Sequence, residues 1–321
     1  MSIEVLHPGL LSTVQDLGRC GHAALGVGRS GALDADALRL ANALLGNAAT
    51  LAGLEITLQG PTLRFNERTG FALCGADFSA RLDGHPVNAW SALQAQTGSV
   101  LELGRASSGC RGWLALTGGI DLPPVLGSRS TDLNAGLGPL PRALRRGDVL
   151  PLGAHASTPR APSARWSLNP RPWFAVAEHE PLRLLQGRDH AGLDQASMAA
   201  LYNSEFRVAT ASNRVGLRLD GPALRLTQTL ECVSEGCVPG VVQLPGGGQP
   251  IVLLGEHPVS GGYPRIAQLA AVDLPRLAQA RPGSALRFML TDLDTATRAL
   301  LARQHARADL ESRIRSRLAA T

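Results

Sequence analysis

The chain has 321 residues, 44% of them hydrophobic, with 36 Gly, 21 Pro and only 4% aromatics. At roughly 150 residues per domain this is material for about two domains, and the Gly and Pro content argues for short segments between turns rather than a long-helix bundle. All 31 basic residues are Arg, which excludes a Schiff-base lysine, a P-loop lysine and lysine-linked biotin or pyridoxal phosphate on this chain.

The net charge of +5 is uneven. Arg298, Arg303, Arg307, Arg313, Arg315 and Arg317 face only Asp309 and Glu311 in the last segment, so the body is near neutral and a nucleic-acid partner is not expected. The 5 Cys are scattered at positions 20, 74, 110, 232 and 237, which suits free thiols in a reducing cytosol. The opening stretch has no basic region and carries Glu4 and His7 within its apolar run, unlike a signal peptide. No apolar run approaches the ~20 residues of a membrane span. The expected location is the cytoplasm, with no membrane partner.

In chain order, residues 2–6 read as a strand, closed by a turn at His7-Pro8-Gly9. Residues 18–33 are Gly-rich and polar. A helix is predicted over 34–45, capped by Asp34 or Ser30, faced by Leu38, Ala41 and Leu45, and stopped by Gly46-Asn47. From 53 to 152 the pattern is strands: Leu54, Ile56 and Leu58 alternate with polar residues, Leu63 and Phe65 alternate again, and 71–74, 100–103 and 113–116 are further short strands with Gly at their ends, which suggests a barrel or sandwich. Residues 153–172 hold Pro159, Pro162, Pro170 and Pro172 and read as a linker. Strands resume at 182, with a short helix over 189–201. Leu293, Ala296, Leu300, Arg307, Leu310, Ile314 and Leu318 recur at helical steps, predicting an amphipathic C-terminal helix capped by Asp292.

Leu58-Gln-Gly-Pro-Thr-Leu-Arg-Phe65 matches Leu219-Asp-Gly-Pro-Ala-Leu-Arg-Leu226, half a chain length away. Gly147-Asp-Val-Leu150 and Gly283-Ser-Ala-Leu286 close the two halves alike. A diverged duplication leaves such traces. The expected organisation is a first β-lobe over 1–152, a linker over 153–172, a second β-lobe over 173–290 and the helix over 291–321.

Familiar enzyme signatures are missing. Cys232 and Cys237 lack the second ligand pair that zinc needs, and no metal site is expected. Gly28-Arg-Ser30-Gly-Ala32 is one residue short of a nucleophile elbow and lacks the leading strand. Gly246-Gly-Gly248 could cradle a phosphate, though a hairpin between 241–244 and 251–254 explains it as well. What remains is a set of Gly-rich loops carrying Arg, Asp, Ser or Glu: Arg29–Asp34, Leu126–Asp132, Ser212–Arg218, Ser234–Gly240 with Gln243, and Gly261–Arg265. Such loops on a rigid β-scaffold are typical of binding sites.

Taken in order, these loops resemble the biotin-dependent carboxyltransferase-like family that includes KipA, the C-type member of the 5-oxoprolinase complex and the second allophanate-hydrolase-subunit domain of urea carboxylase. The matching segments are Gly9–Arg19, Ser30-Gly-Ala-Leu-Asp34, Val125–Asp132, Ser212-Asn-Arg-Val-Gly216, Ser234–Gln243, Gly247–Ile251 and Gly261-Gly-Tyr-Pro-Arg-Ile266. The resemblance implies a mainly β fold of two cyclophilin-like β-barrel lobes. It implies ATP-dependent opening of 5-oxoproline to glutamate, shared with two partners, one KipI-like (B-type) and one LamB/YcsF-like (A-type). By the same resemblance Glu235, Arg214 and Asp132 are candidate catalytic residues, with Glu235 a base or metal-water partner. Ser30, Asp34, Arg129, Ser212, Asn213, Gln243, Tyr263 and Arg265 are candidate substrate-binding residues. Among these, Arg129, Arg214 and Arg265 would hold carboxylate or phosphate, and Ser30 and Asp34 would shape a pocket at a helix N-terminus. One alternative is a carboxyltransferase lobe served by a biotinylated partner; another is a KipA-like regulator that is not an enzyme. One departure stands out: where the family commonly reads A-D-R-Q-T-T, this chain reads Gly255-Glu-His-Pro-Val-Ser260, keeping the acid as Glu256 and losing the Arg and Gln.

Overall fold

The computed structural model describes residues 1–154, 166–173, 180–228, 230 and 232–320. The chain forms two compact units, the first from 1–19, 30–175 and 306–321, the second from 20–29 and 176–305. This differs from four consecutive spans, because residues 20–29 belong to the second unit and the C-terminal helix is divided between units at 305 and 306. Much of the expected linker, 155–165, lies outside the described residues. Its neighbours Leu168 and Trp173 are buried in the first unit.

The first unit faces one sheet with another. The six-stranded sheet runs β11 (Val149–Pro151), β1 (Ser2–His7), β4 (Thr62–Phe65), β9 (Val100–Glu102), β6 (Arg81–Leu82) and β7 (His85–Pro86). The five-stranded sheet runs β2 (Leu11–Gln15), β3 (Gly53–Thr57), β10 (Ser108–Leu116), β5 (Thr69–Asp77) and β8 (Ala92–Ala95). Strand period sorts the side chains. Phe71, Leu73, Leu114 and Leu116 enter the core shared with Ile3, Val5, Leu63 and Phe65. Their neighbours Ala72, Cys74, Trp113 and Ala115 point the other way, onto helix α1 (Ala35–Leu44) through Leu38, Ala41 and Leu44. The five-stranded sheet is therefore covered on both faces, which is why β5 and β10 show almost no polar alternation. Asp34 caps α1 as expected, its carboxylate accepting from the Ala37 N–H at 3.1 Å.

The second unit is a near-barrel. Its eight-stranded order is β20 (Ala285–Leu286), β13 (Phe206–Val208), β14 (Gly216–Asp220), β17 (Ile251–Leu253), β16 (Val241–Gln243), β19 (Arg265–Leu269), β12 (Leu182–Gln186) and β21 (Phe288–Leu290). The two end strands are consecutive in the chain, parted only by Arg287, so the sheet curls back on itself and one broken strand serves both edges. Phe206 from one end and Phe288 from the other meet inside, with ring centroids 5.8 Å apart. The helix α2 (Gln195–Asn203) is capped by Asp194 and preceded by a turn of 3-10 helix at His190–Gly192, so the single helix expected over 189–201 is two pieces. A two-stranded ladder of β15 (Glu235–Gly236) and β18 (Ser260–Gly261) stands apart from the barrel sheet.

The repeated segment has unequal fates. In the first unit it supplies strand β4; in the second, Leu226 makes only an isolated bridge to Leu193. An alternating pattern becomes a strand only where a neighbour offers a ladder.

The C-terminal helix (Leu293–Ala319) has 27 residues. Ala296 and Leu300 pack with Ala270 and Val272 in the second unit. Leu310, Ile314 and Leu318 pack on the α1 face of the first, where Arg307 pairs with Asp36 and Arg317 lies 5.2 Å over the Trp166 ring. Among the described residues no helix is long and apolar enough to cross a membrane.

Candidate functional site

The Gly-rich loops of the first unit close on themselves. Asp16, at the end of β2, accepts from the N–H groups of Gly18 (2.8 Å) and Arg129 (2.6 Å) and from the hydroxyls of Ser128 (2.6 Å) and Ser130 (2.6 Å). Arg19 donates to the Ser130 carbonyl, while Gln15 (2.9 Å) and Ser30 (2.7 Å) both donate to the Thr131 carbonyl. Ser30 sits at φ 53° and Gly31 at φ 88°. A Cβ on Gly31 would fall 2.8 Å from the Gly18 nitrogen, so only glycine lets the two segments touch. Arg129 donates to the Leu122 carbonyl and to Asp121, both at 2.6 Å. Asp132 is buried and accepts from the Ala135 N–H at 2.8 Å, closing its own turn. The N-terminus of α1 already carries Asp34 and Asp36, so its dipole is answered from within the chain. The four expected residues Ser30, Asp34, Arg129 and Asp132 thus share one unit, each engaged in holding a loop.

The second unit holds the other seven. Ser212 and Asn213 build a turn: Asn213 Oδ1 accepts from the Val215 N–H at 2.9 Å, and Ser212 Oγ accepts from the Arg218 N–H at 3.1 Å. Arg214, 3% exposed, donates through Nε to Glu256 Oε1 at 2.5 Å, and Glu256 is equally buried. The retained acid of the divergent 255–260 loop is therefore the counter-ion of Arg214, and a solute reaches that guanidinium only if the pair opens.

The remaining residues converge. Strand pairing sets Gln243 of β16 opposite Arg265 of β19. Gln243 Nε2 lies 3.8 Å and Arg265 Nη2 3.9 Å from Cys237 Sγ. Burial pushes the Cys237 thiol up; Arg265 opposes this and Glu235 adds to it, which favours the protonated thiol near neutrality. Glu235, half exposed, accepts from Arg188 through Oε1 and faces Arg265 Nη1 at 3.7 Å through Oε2. The divergent loop supports this carboxylate, because Ser260 pairs with Gly236 and the Val259 carbonyl accepts from the Cys237 N–H at 2.8 Å.

Two members of this cluster escaped the sequence reading. Asp189 accepts from the Arg265 N–H at 2.7 Å and from Arg188 Nε at 3.2 Å. The signal was present as Gly187-Arg188-Asp189-His190 at the end of β12, another Gly-flanked charged loop. Nearby, His190 Nε2 lies 2.9 Å from the Tyr202 hydroxyl, and burial holds its pKa below the usual histidine value.

A cavity of about 570 Å³ opens in the same unit, within the range of small-molecule sites. Leu224, Leu226 and Leu244 give it apolar walls, while Arg225, Gln228 and the half-exposed Tyr263 add polar groups. Gly246 also lines it, within the hairpin that joins the antiparallel strands β16 and β17.

A mainly β scaffold with this order of Gly-rich loops defines a class. Residues 25–290 match the carboxyltransferase domain, subdomain A and B, and the chain belongs to that family. It is 41% identical over 298 residues to the C subunit of 5-oxoprolinase from Escherichia coli (strain K12), covering 92% of this chain and 94% of that one. The C subunit of 5-oxoprolinase from Haemophilus influenzae is 35% identical over 297 residues, covering 92% and 93%. Among solved structures, the K. lactis urea amidolyase superposes with a TM-score of 0.87 at 28% identity; the match covers 96% of this chain but only 20% of that one.

Proposed function

We propose that this chain is the C subunit of an ATP-dependent 5-oxoprolinase, acting with a KipI-like B-type partner and a LamB/YcsF-like A-type partner to open 5-oxoproline to glutamate. The observation that carries the reading is 41% identity spanning 94% of a 5-oxoprolinase C subunit. Among the described residues no disulfide joins the five cysteines, which supports a cytoplasmic setting. The two-lobe, cyclophilin-like duplication belongs to the same proposal; its support is the repeated Leu-x-Gly-Pro-x-Leu-Arg segment.

The lactam carbonyl is a poor electrophile. Transfer of a phosphoryl group from ATP to its oxygen, with ADP leaving, makes the carbon electrophilic; water adds there, the C–N bond breaks as the nitrogen takes a proton, and a second water hydrolyses the resulting acyl phosphate to glutamate and phosphate. What this chain contributes is charge and position. Arg265 is set to take the substrate carboxylate, and the Gln243 amide lies beside it. Arginine suits this role because its planar fork matches two carboxylate oxygens.

The test is glutamate release from 5-oxoproline and ATP by this chain co-expressed with its B-type and A-type partners, each omitted in turn. Activity lost on omission of this chain is expected. An assembled complex without activity would sink the reading. The likeness to urea amidolyase favours a second reading, a carboxyltransferase lobe; having no lysine, the chain would depend on a partner for biotin. Biotin-dependent carboxylation of urea by the reconstituted partners would decide for it.

A further inference from the structure

The cluster around Glu235 has the shape of a receptor holding its own ligand. Asp189 is the organiser. One carboxylate oxygen fixes the backbone of Arg265 at 2.7 Å, and the other holds the side chain of Arg188 at 3.2 Å. The turn lies this close because residue 187 is glycine: a Cβ there would meet the Arg265 carbonyl oxygen at 2.2 Å. Both guanidiniums then reach the same carboxylate, Arg188 on Oε1 of Glu235 and Arg265 on Oε2. A planar group with one oxygen for each arginine fits a carboxylate better than a tetrahedral phosphate.

The organiser and the occupant differ in attachment. Asp189 has a side chain only 10% exposed, whereas that of Glu235 is 45% exposed and rides on a two-residue ladder, β15 with β18. Exposed ion pairs are weak and screened by salt, so Glu235 can leave at little cost. Beneath, Gln243 is buried and Gly261 keeps the floor open to it: a Cβ at 261 would stand 2.7 Å from Gln243 Nε2.

We propose that Arg188 and Arg265 form a carboxylate-binding subsite, that Glu235 occupies it in the unliganded chain, and that the carboxylate of the ligand enters by displacing Glu235. The subsite takes its chemistry from the geometry; it rests on the 5-oxoprolinase reading only for the identity of that ligand. Arg188 becomes a specificity-determining residue, and Glu235 a competitor that sets apparent affinity. An occupied subsite lowers apparent affinity by the fraction of chains in which it is free.

The experiment titrates the whole chain with acetate, L-5-oxoproline and, separately, inorganic phosphate. It follows the arginine Nε–Hε resonances of Arg188 and Arg265 in wild type, Glu235→Gln, Arg188→Met and the double variant. Glu235→Gln is expected to bind the carboxylates about fivefold more tightly, a factor that weak exposed pairs of this kind allow. Adding Arg188→Met should abolish the gain. Equal or weaker carboxylate binding by a folded Glu235→Gln chain overturns the subsite, and so does a gain confined to phosphate. If the reconstituted complex makes no glutamate while acetate binding still tightens, the functional reading fails and the subsite stands. If the complex makes glutamate and neither binding nor KM responds to Glu235→Gln, the subsite fails and the reading stands.

Discussion

Asp16 and Asp189 do similar work in different surroundings. Each carboxylate gathers a Gly-rich loop, and each loop carries an arginine named by sequence or found beside one. Asp16 is 8% exposed and meets hydroxyls and N–H groups that point only at it. Its loop ends as a closed network with Arg129 spent on Asp121 and a carbonyl. Asp189 takes one backbone N–H and one guanidinium edge, leaving Arg188 and Arg265 to project toward an exposed carboxylate. A charged loop builds structure when fixed donors saturate it, and becomes a candidate site when its charges converge on a group that solvent can replace.

Variants can break that contrast. Removing the carboxylate in Asp16→Ala should cost about 3–5 kcal/mol, because several buried donors lose their acceptor at once; the midpoint of denaturant unfolding reads it. Arg214→Met or Glu256→Gln alone should cost about 3 kcal/mol by stranding a buried charge, and replacing both with apolar residues should recover most of it. A double-mutant cycle on unfolding free energies measures the recovery. Arg265→Met should behave in the opposite way, lowering kcat/KM of the complex about 100-fold while changing stability by less than ~1 kcal/mol.

Acidity sharpens the comparison at a third carboxylate. Burial pushes the Asp273 carboxyl up, but hydrogen bonds from Arg183 at 2.7 and 2.9 Å, with Arg276 nearby, more than offset this and hold it below the usual range. A depressed folded-state pKa contributes stability that is complete above the unfolded value near ~3.9 and is lost as pH falls through the folded one. Thermal unfolding from pH 6 downward should therefore show a steeper acid loss in wild type than in Asp273→Asn. The smallest effect belongs to Ser212→Ala, whose exposed hydroxyl bonds both backbone groups of Arg218 at 3.1 and 3.3 Å. It should shift stability by less than ~0.5 kcal/mol and leave glutamate release unchanged.

Much of the fold could be read in advance where the signal is local. The Asp34 cap, α1, the C-terminal helix and the strands at 2–6 and 113–116 follow from capping, periodicity and β-propensity, which act within a few residues. The doubly covered sheet was visible only as missing alternation. The closing of the second sheet through Arg287 depends on which distant strands pair, and that leaves no trace in a window of ten residues. The division of the C-terminal helix followed the same rule: its apolar positions were legible, while Ala270 and Val272 for one half and α1 for the other were not.

For the candidate site the split is sharper. Composition and motif order alone show which loops carry charge and glycine, that no lysine chemistry is available, and that the loops follow the order of the family. Tertiary structure decided which of those charges answer one another. It sealed Arg214 against Glu256, spent Asp132 and Asn213 on their own turns, and brought Arg188 and Asp189 into a cluster that periodicity never marked. The physical reason is that a side chain's chemistry is written at its own position, whereas its burial and its counter-ion come from residues far along the chain.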